Sequence, residues 1–203
     1  MNTARRVVLA TGNAGKRREF AALLAPLGFE IVSQDELGIE PAAETGTTFE
    51  DNALLKARHA ARAANLPAMA DDSGIEVDAL GGRPGVYSAR YAGASASDAD
   101  NNALLLAELS GRPPQERQAR YRCVIAYVRF ADDPAPLFAR GVWEGRIAEV
   151  PAGTGGFGYD PHFLPAGENL TAAEMEPAQK NRISHRSRAI GALARALAAD
   201  QPA

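Results

Sequence analysis

Arg5-Arg6-Val7-Val8-Leu9-Ala10 runs directly into Thr11-Gly12-Asn13-Ala14-Gly15-Lys16, and this junction decides the fold. Val7, Val8 and Leu9 are contiguous and apolar, which predicts a buried strand. After the turn Thr11 to Gly15, the residues Phe20, Leu23, Leu24 and Leu27 recur at helical spacing, and Gly28 supplies a stop. Phe29 to Val32 predicts a second strand. Strand, glycine turn, helix, strand is an α/β opening, with the turn where the carboxyl end of a strand meets a helix N-terminus.

Outward from there the order is mixed. Thr47 or Thr48 can cap a second helix, with Glu50 three residues after Thr47, and Pro67 ends it. Met69 to Asp71 predicts a strand end, and Ile75 to Leu80 a further strand closed by Gly81 and Gly82. A third helix starts near Ser97, with Asp100 three residues on, and stops at Gly111. Ala119 to Ala131 and Leu137 to Val150 predict a long hairpin around Asp132, Asp133, Pro134 and Pro136. Gly153 to Pro161 is a glycine-rich loop. Thr171 with Glu174 predicts a helix start, and Ile190, Leu193, Ala194 and Leu197 give a final amphipathic helix whose tail, from about 198 to 203, is expected to fray. The expected architecture is an α/β domain with a mixed sheet, spanning 1–203.

Composition narrows the class. The chain has 203 residues, 46% hydrophobic and 23% charged, with net charge −3, as in an ordinary globular domain. The acidic balance argues against a nucleic-acid-coating protein. No apolar run approaches the length of a membrane helix, and the N-terminus lacks a signal-peptide pattern. One cysteine, Cys123, excludes an intrachain disulfide and a cysteine-based zinc site, so the expected compartment is the cytoplasm. The 22 basic residues include only three lysines, Lys16, Lys56 and Lys180, beside 19 arginines, a bias that codon composition explains.

Four segments carry chemistry. Thr11 through Lys16 (Thr11, Gly12, Asn13, Ala14, Gly15, Lys16) presents helix-start amides and an ammonium group, which suits a polyphosphate. It is not a Walker A loop, because Ala10 and Arg17 stand where Gly and Ser or Thr are required. Read without the phosphate, it is a capped turn with a solvated lysine. Asp71-Asp72-Ser73-Gly74 is either an Asx-type turn or a strand exit offering carboxylate to Mg²⁺, with Glu44 as a possible second ligand. In a strand the two acids point to opposite faces. Gly153 to Asp160 matches G-x-G-x-x-G, but Pro161 and aromatics follow where a helix should begin, so the dinucleotide reading fails. It reads instead as a loop presenting Phe157 or Tyr159 to a flat ring, or as a turn whose aromatics enter the core. In Lys180 to Arg186, Ser184 can cap the last helix. His185 and Arg186 then fall in its first turn, where cations are unfavourable unless an anion is near. His59 reads as surface or packing, and Cys123 as core.

Together TGNAGK (11–16), ETGTTFEDNALLKA (44–57), ADDSGIEVDALGGRPGVYSARYAG (70–93), GTGGFGYDPHF (153–163) and KNRISHR (180–186) resemble one family. They stand in the order seen in the Ham1-type inosine/xanthosine triphosphate pyrophosphatases, from about Val7 to Leu197. The resemblance implies an elongated α/β fold of two lobes with a cleft between them, and a homodimer. It implies Mg²⁺-dependent hydrolysis of ITP, dITP and XTP to the monophosphate and pyrophosphate. By position, Thr11 through Lys16 would hold the phosphate tail and Lys56 would reach it. Glu44 and Asp72 would face the metal, with Asp72 accepting the proton of the attacking water. Ser73 would contact substrate, and Phe157, Gly158, Tyr159 and Asp160 would clamp base and sugar. Lys180, His185 and Arg186 would complete the base pocket, where a donor such as Arg186 favours a 6-keto purine over adenine. Three lysines and Mg²⁺ would then neutralise the triphosphate. Two other readings stay open on these residues: a related hydrolase with another preferred triphosphate, and a nucleotide-binding sensor without turnover.

Overall fold

The computed structural model describes residues 5–199, and the part of the tail at 200–203 lies outside the described residues. Six strands form one mixed sheet in the order β2-β1-β3-β4-β5-β6 among these residues, and five α-helices flank it in sequence. The chain divides into two compact units, with boundaries at Asp72/Ser73, Arg122/Cys123, Gly141/Val142 and His185/Arg186.

The first unit holds residues 5–72, 123–141 and 186–199. Strand β1 (Arg5–Leu9) pairs in parallel with β2 (Phe29–Ser33) and with the start of β3 (Ala68–Val77). Val7, Val8 and Leu9 are all buried, as a strand covered on both faces requires. Helix α1 (Ala14–Leu24) starts at the Asn13 cap, one residue before Gly15. It ends at Leu24 because Pro26 follows. The chain tightens into a 3₁₀ turn, Ala25–Leu27, and the expected Gly28 stop closes that turn. Phe20 and Leu24 of α1 pack with Leu9, Met69, Ile125, Ile190 and Leu193. Helix α2 (Phe49–Ala64) is capped by Thr48, whose hydroxyl accepts from the Asp51 amide at 3.1 Å. Of the two threonines it is Thr48 that caps, and its partner three residues on is Asp51, not the Glu50 that follows Thr47. The buried stripe of α2 is nearly all alanine: Ala53, Ala57, Ala60 and Ala61, interrupted by Asn52.

The second unit holds residues 73–122 and 142–185. Helix α3 (Asp98–Glu108) begins with the expected capping box of Ser97 and Asp100. Strands β4 (Gln118–Val128) and β5 (Leu137–Ile147) are neighbours, with ends in both units, and β6 (Phe163–Pro165) lies antiparallel to β5. Ile75, Val77, Leu105, Leu109, Tyr121, Trp143 and Phe163 form the core of this unit. Tyr121 and Trp143 meet Phe163 edge-on at 4.7 and 5.2 Å.

Three expectations change. The Asp71 region and Ile75 to Val77 are one continuous strand, because the acids that resemble turn chemistry have partners and Gly74 accepts a neighbour. A side chain at Gly74 would run into the Gly85 carbonyl and the Ser88 hydroxyl. Thr171 and Glu174 close a turn, the Thr171 amide donating to the Glu174 carboxylate at 2.8 Å, but helix α4 (Pro177–Ile183) waits for Pro177. Helix α5 (His185–Ala199) includes Ala198 and Ala199, two residues of the expected frayed tail.

Gly74→Ala should therefore lower thermal stability by about 1–3 kcal/mol through overpacking. A melting temperature equal to the parent's would show that β3 needs no glycine there.

Candidate active site

The turn ahead of α1 is built from its own polar groups. The Thr11 hydroxyl accepts from the Asn13 amide at 3.2 Å, and the Asn13 side chain accepts from the Lys16 amide at 2.9 Å. Gly12, Asn13 and Ala14 are exposed, and Gly15 is half-buried. The α1 N-terminus is thus ordered and open to an anion. Lys16 is not solvated as in the plain-turn reading: its ammonium sits 2.9 Å from the Asp71 carboxylate.

Asp71 and Asp72 take different partners, as strand alternation requires. The Asp71 side chain is fully buried between Lys16 and Arg186, whose Nε lies 3.8 Å away. Arg186 is itself buried and bonds to Glu19 of α1. Burial alone would raise the Asp71 carboxyl, but Lys16, Arg186 and Lys56 outweigh it and hold it at about 2. Arg186 thus finds in the first unit the anions that its place in the first turn of α5 calls for, Glu19 and Asp71. Burial opposes its charge, and these two acids hold its pKa above the usual arginine value.

Asp72 is pushed up from the usual carboxylate range, first by burial and then by Glu44, against the pull of Lys56, Lys16 and an Asn52 bond. The Lys56 ammonium bridges Glu44 at 2.6 Å and Asp72 at 3.1 Å. Burial opposes the charge on Lys56, and Asp72, Asp71 and Glu44 restore it and raise its pKa. Asn52, also on α2, is fully buried. Its amide donates to Asp72 at 3.1 Å, and its oxygen accepts from the Gly46 amide at 2.8 Å. One side chain thereby ties the Asp72 carboxylate to the loop that carries Glu44. Asn52 went unnoticed in the sequence; its signal is a polar residue inside an alanine stripe, one turn before Lys56. Glu19 lies three residues after Lys16, on one face of α1.

The two neighbouring carboxyls are pushed in opposite directions, Asp71 down by its cations and Asp72 up by burial and Glu44, which holds Asp71 ionised and leaves Asp72 the more readily protonated of the pair. Glu44 and Asp72 offer oxygen ligands converging on one cation, Lys56. Among the described residues no three His, Cys, Asp or Glu side chains group to hold a metal. Two carboxylates suit Mg²⁺, which takes its remaining positions from water and phosphate.

The second unit holds the glycine-rich loop. Asp160 is buried, accepting from the Phe157 amide at 2.9 Å and from the Lys180 ammonium at 2.6 Å. Gly156 has φ +73, and a side chain there would strike the Asp160 carboxylate. Lys180 lies 5.2 Å from the Phe157 ring centroid. Tyr159 is only 3% exposed, and its hydroxyl donates to the Ser88 carbonyl at 2.8 Å. Of the two rings, Tyr159 therefore belongs to the core and Phe157, half-buried, is the one left to offer. Gly158 and Ser73 are half-buried. His185 is buried, stacked on Tyr121 at 4.6 Å and 9°, so its ring is part of the aromatic core. His162 bonds the Ala148 carbonyl, and burial lowers its pKa; it reads as structural. Cys123 is a core residue whose thiol burial pushes up. His59 packs against the Glu40 carbonyl.

With this geometry in place, the profile of the Ham1 family matches residues 7–196. A dITP/XTP pyrophosphatase of Methylococcus capsulatus is 58% identical over 195 residues, 96% of this chain and 97% of the relative. One from Shigella flexneri is 56% identical over 192 residues, covering 95% and 98%. Among solved structures, a HAM1 protein from Coxiella burnetii superposes with a TM-score of 0.87 at 45% identity, covering 96% of this chain and 98% of that one.

Asp71→Asn should destabilise the fold by about 3–5 kcal/mol, because it leaves buried Lys16 and Arg186 charges undercompensated. The sign with pH follows from the lowered carboxyl. Its stabilisation, roughly 2 kcal/mol, is present above the ordinary value of 3.8 and is lost as pH falls through about 2. Acid titration of unfolding should show this loss in the parent and not in the variant. Identical acid limbs would remove Asp71 from the role of charged anchor.

Proposed function

The chain belongs to the Ham1 family, and on that premise we propose that it hydrolyses dITP, ITP and XTP to the nucleoside monophosphate and pyrophosphate. The observation that carries the chemistry is the Lys56 ammonium held between Glu44 and Asp72, with Asp72 raised toward a proton-accepting range. The substrate class comes from the relatives, which are dITP/XTP pyrophosphatases.

In the first unit, Gly12 through Gly15 and Lys16 receive the phosphate tail at the α1 N-terminus, and Lys56 adds a second positive charge. Glu44 and Asp72 would hold Mg²⁺, which supplies further positive charge against the phosphates. Asp72 takes the proton of the water that attacks phosphorus, a new P–O bond forms, and the bridging oxygen leaves with pyrophosphate. Asn52 keeps Asp72 turned to that task. Asp71 stays ionised and aims Lys16.

In the second unit, Phe157 offers its ring to the purine, and Asp160 with Lys180 fixes the loop beneath it. Lys180 is thereby assigned to the base end, leaving Lys16 and Lys56 with the phosphates. Ser73, next to Asp72 on β3, remains a substrate contact by position. Tyr159 and His185 serve from the core by shaping the loop and its bed. Homodimerisation and a cytoplasmic setting belong to the same proposal; a single buried cysteine suits a reducing compartment. Among the described residues no helix is long and apolar enough to cross a membrane.

Pyrophosphate release with Mg²⁺ from a panel of triphosphates tests the reading. Turnover of dITP, ITP and XTP should far exceed that of ATP and dTTP. Equal rates would point to a hydrolase of another preference, and binding without turnover to a sensor. Asp72→Asn should cut kcat by about 10²–10⁴ while the melting temperature holds; a near-normal rate would remove Asp72 as the proton acceptor. Lys56→Arg should also impair catalysis, because a planar guanidinium does not substitute for a compact ammonium between two carboxylates. Full activity in that variant would reduce the scarcity of lysine to codon bias.

A further inference from the structure

The first turn of α3 lies far along the chain from the glycine-rich loop, yet it holds both backbone polar groups of one loop residue, Gly158. The Gly158 amide donates to the Asp98 carboxylate at 2.6 Å. The Gly158 carbonyl accepts from the Asn102 side-chain amide at 2.9 Å. The same Asn102 nitrogen donates to the Asp98 backbone carbonyl at 2.7 Å, which keeps the two side chains in register one helical turn apart. We infer that Asp98 and Asn102 are positioning residues for base recognition, acting through Gly158 to fix where Phe157 is presented. This rests on the reading that the loop receives the purine.

The physics favours a built device over incidental contact. Residues 153–161 lie in no strand or α-helix, so their amides and carbonyls need partners from elsewhere. A carboxylate acceptor makes a stronger bond than a neutral one, and the 2.6 Å separation is short for an N–H···O bond. The start of α3 is rigid: the Ser97 amide donates to Asp100 at 2.9 Å while the Ser97 hydroxyl accepts from the Asp100 amide at 3.2 Å. Asn102 also carries a penalty. Its side-chain oxygen is buried without a hydrogen-bond partner among the described residues, a loss that an alanine would avoid. What the asparagine gains in return is the pair of bonds made by its nitrogen.

The loop is then pinned at three successive residues. Tyr159 is tied to Ser88 through its hydroxyl, Asp160 to Lys180, and Gly158 to α3. Phe157 is bracketed by these, its amide on Asp160 and its ring beside Lys180. Releasing Gly158 leaves the Asp160 and Tyr159 ties intact but frees the peptide that adjoins Phe157. The expected effect is on binding, since both α3 residues bond to the loop that presents Phe157.

The full-length chain carrying Asp98→Ala or Asn102→Ala should show KM for dITP and XTP raised about tenfold with kcat within about twofold of the parent. Amide hydrogen exchange at residues 157–160 should accelerate by a similar factor. Asp98→Asn, which keeps an acceptor oxygen, should restore most of the affinity, whereas a merely structural role would track the melting temperature instead. Unchanged KM and unchanged exchange in both alanine variants would overturn the brace, as would a fall in kcat alone. If the parent turns over none of these triphosphates, the functional reading beneath the inference fails and the inference falls with it. A parent that is active beside variants that are unaffected defeats the brace alone.

Discussion

Two carboxylates are buried side by side on β3, and the first unit is arranged to keep those charges out of water. An isolated buried carboxylate would simply take up a proton. Asp71 stays ionised because Lys16 and Arg186 flank it and Glu19 in turn neutralises Arg186. Asp72 receives less: one ammonium shared with Glu44, and one neutral amide from Asn52. The difference in compensation pushes the carboxyls of two adjacent residues of the same type in opposite directions.

The same constraint explains why α1, α2, β3 and the start of α5 must meet in that unit. Each contributes to the network: Lys16 and Glu19 from α1, Asn52 and Lys56 from α2, the two acids from β3, and Arg186 from α5. Alanine on the buried stripe of α2 leaves room for it to approach closely, so that Asn52 and Lys56 reach carboxylates that a bulkier helix face would hold away. The hydrophobic residues behind them, Leu9, Phe20, Met69, Ile190 and Leu193, make a dry wall. In such surroundings each ionic bond is strong, and a missing partner is correspondingly damaging.

Local chemistry was legible in the sequence wherever it is self-contained. The β1 strand, the Asn13 turn, the Ser97 capping box and the mixed α/β order all follow from residues within a few positions of one another. The missed features depend on distant partners. Asp71, Asp72 and Gly74 look like turn residues until Lys16, Lys56 and the Gly85 carbonyl are brought to them, and then they continue a strand. Thr171 and Glu174 do make their local bond, but Pro177 decides where the helix begins. Tyr159 and Phe157 are indistinguishable by pattern, and only the Ser88 carbonyl, 71 residues away, draws one of them inward. Asp72, Glu44 and Lys56, named together by the resemblance of the motifs, meet around the Lys56 ammonium, whereas Arg186 gathers with Glu19 and Asp71, which no spacing reveals.

The scarcity of lysine now divides by role. Where a cation is permanently paired and fully enclosed, as at Glu19 and Asp71, the chain uses Arg186, whose spread charge is less costly to dehydrate and whose several donors serve two acids. Where a cation keeps some contact with solvent, as at Lys16 and Lys56, it uses an ammonium with a flexible stem. Lys180 follows a different rule: it is enclosed and paired, but it serves one carboxylate oxygen while lying beside the Phe157 ring. A point charge does both within a smaller volume than a guanidinium. Codon bias can therefore set the arginine count on the surface and still leave lysine where shape and mobility of the charge matter.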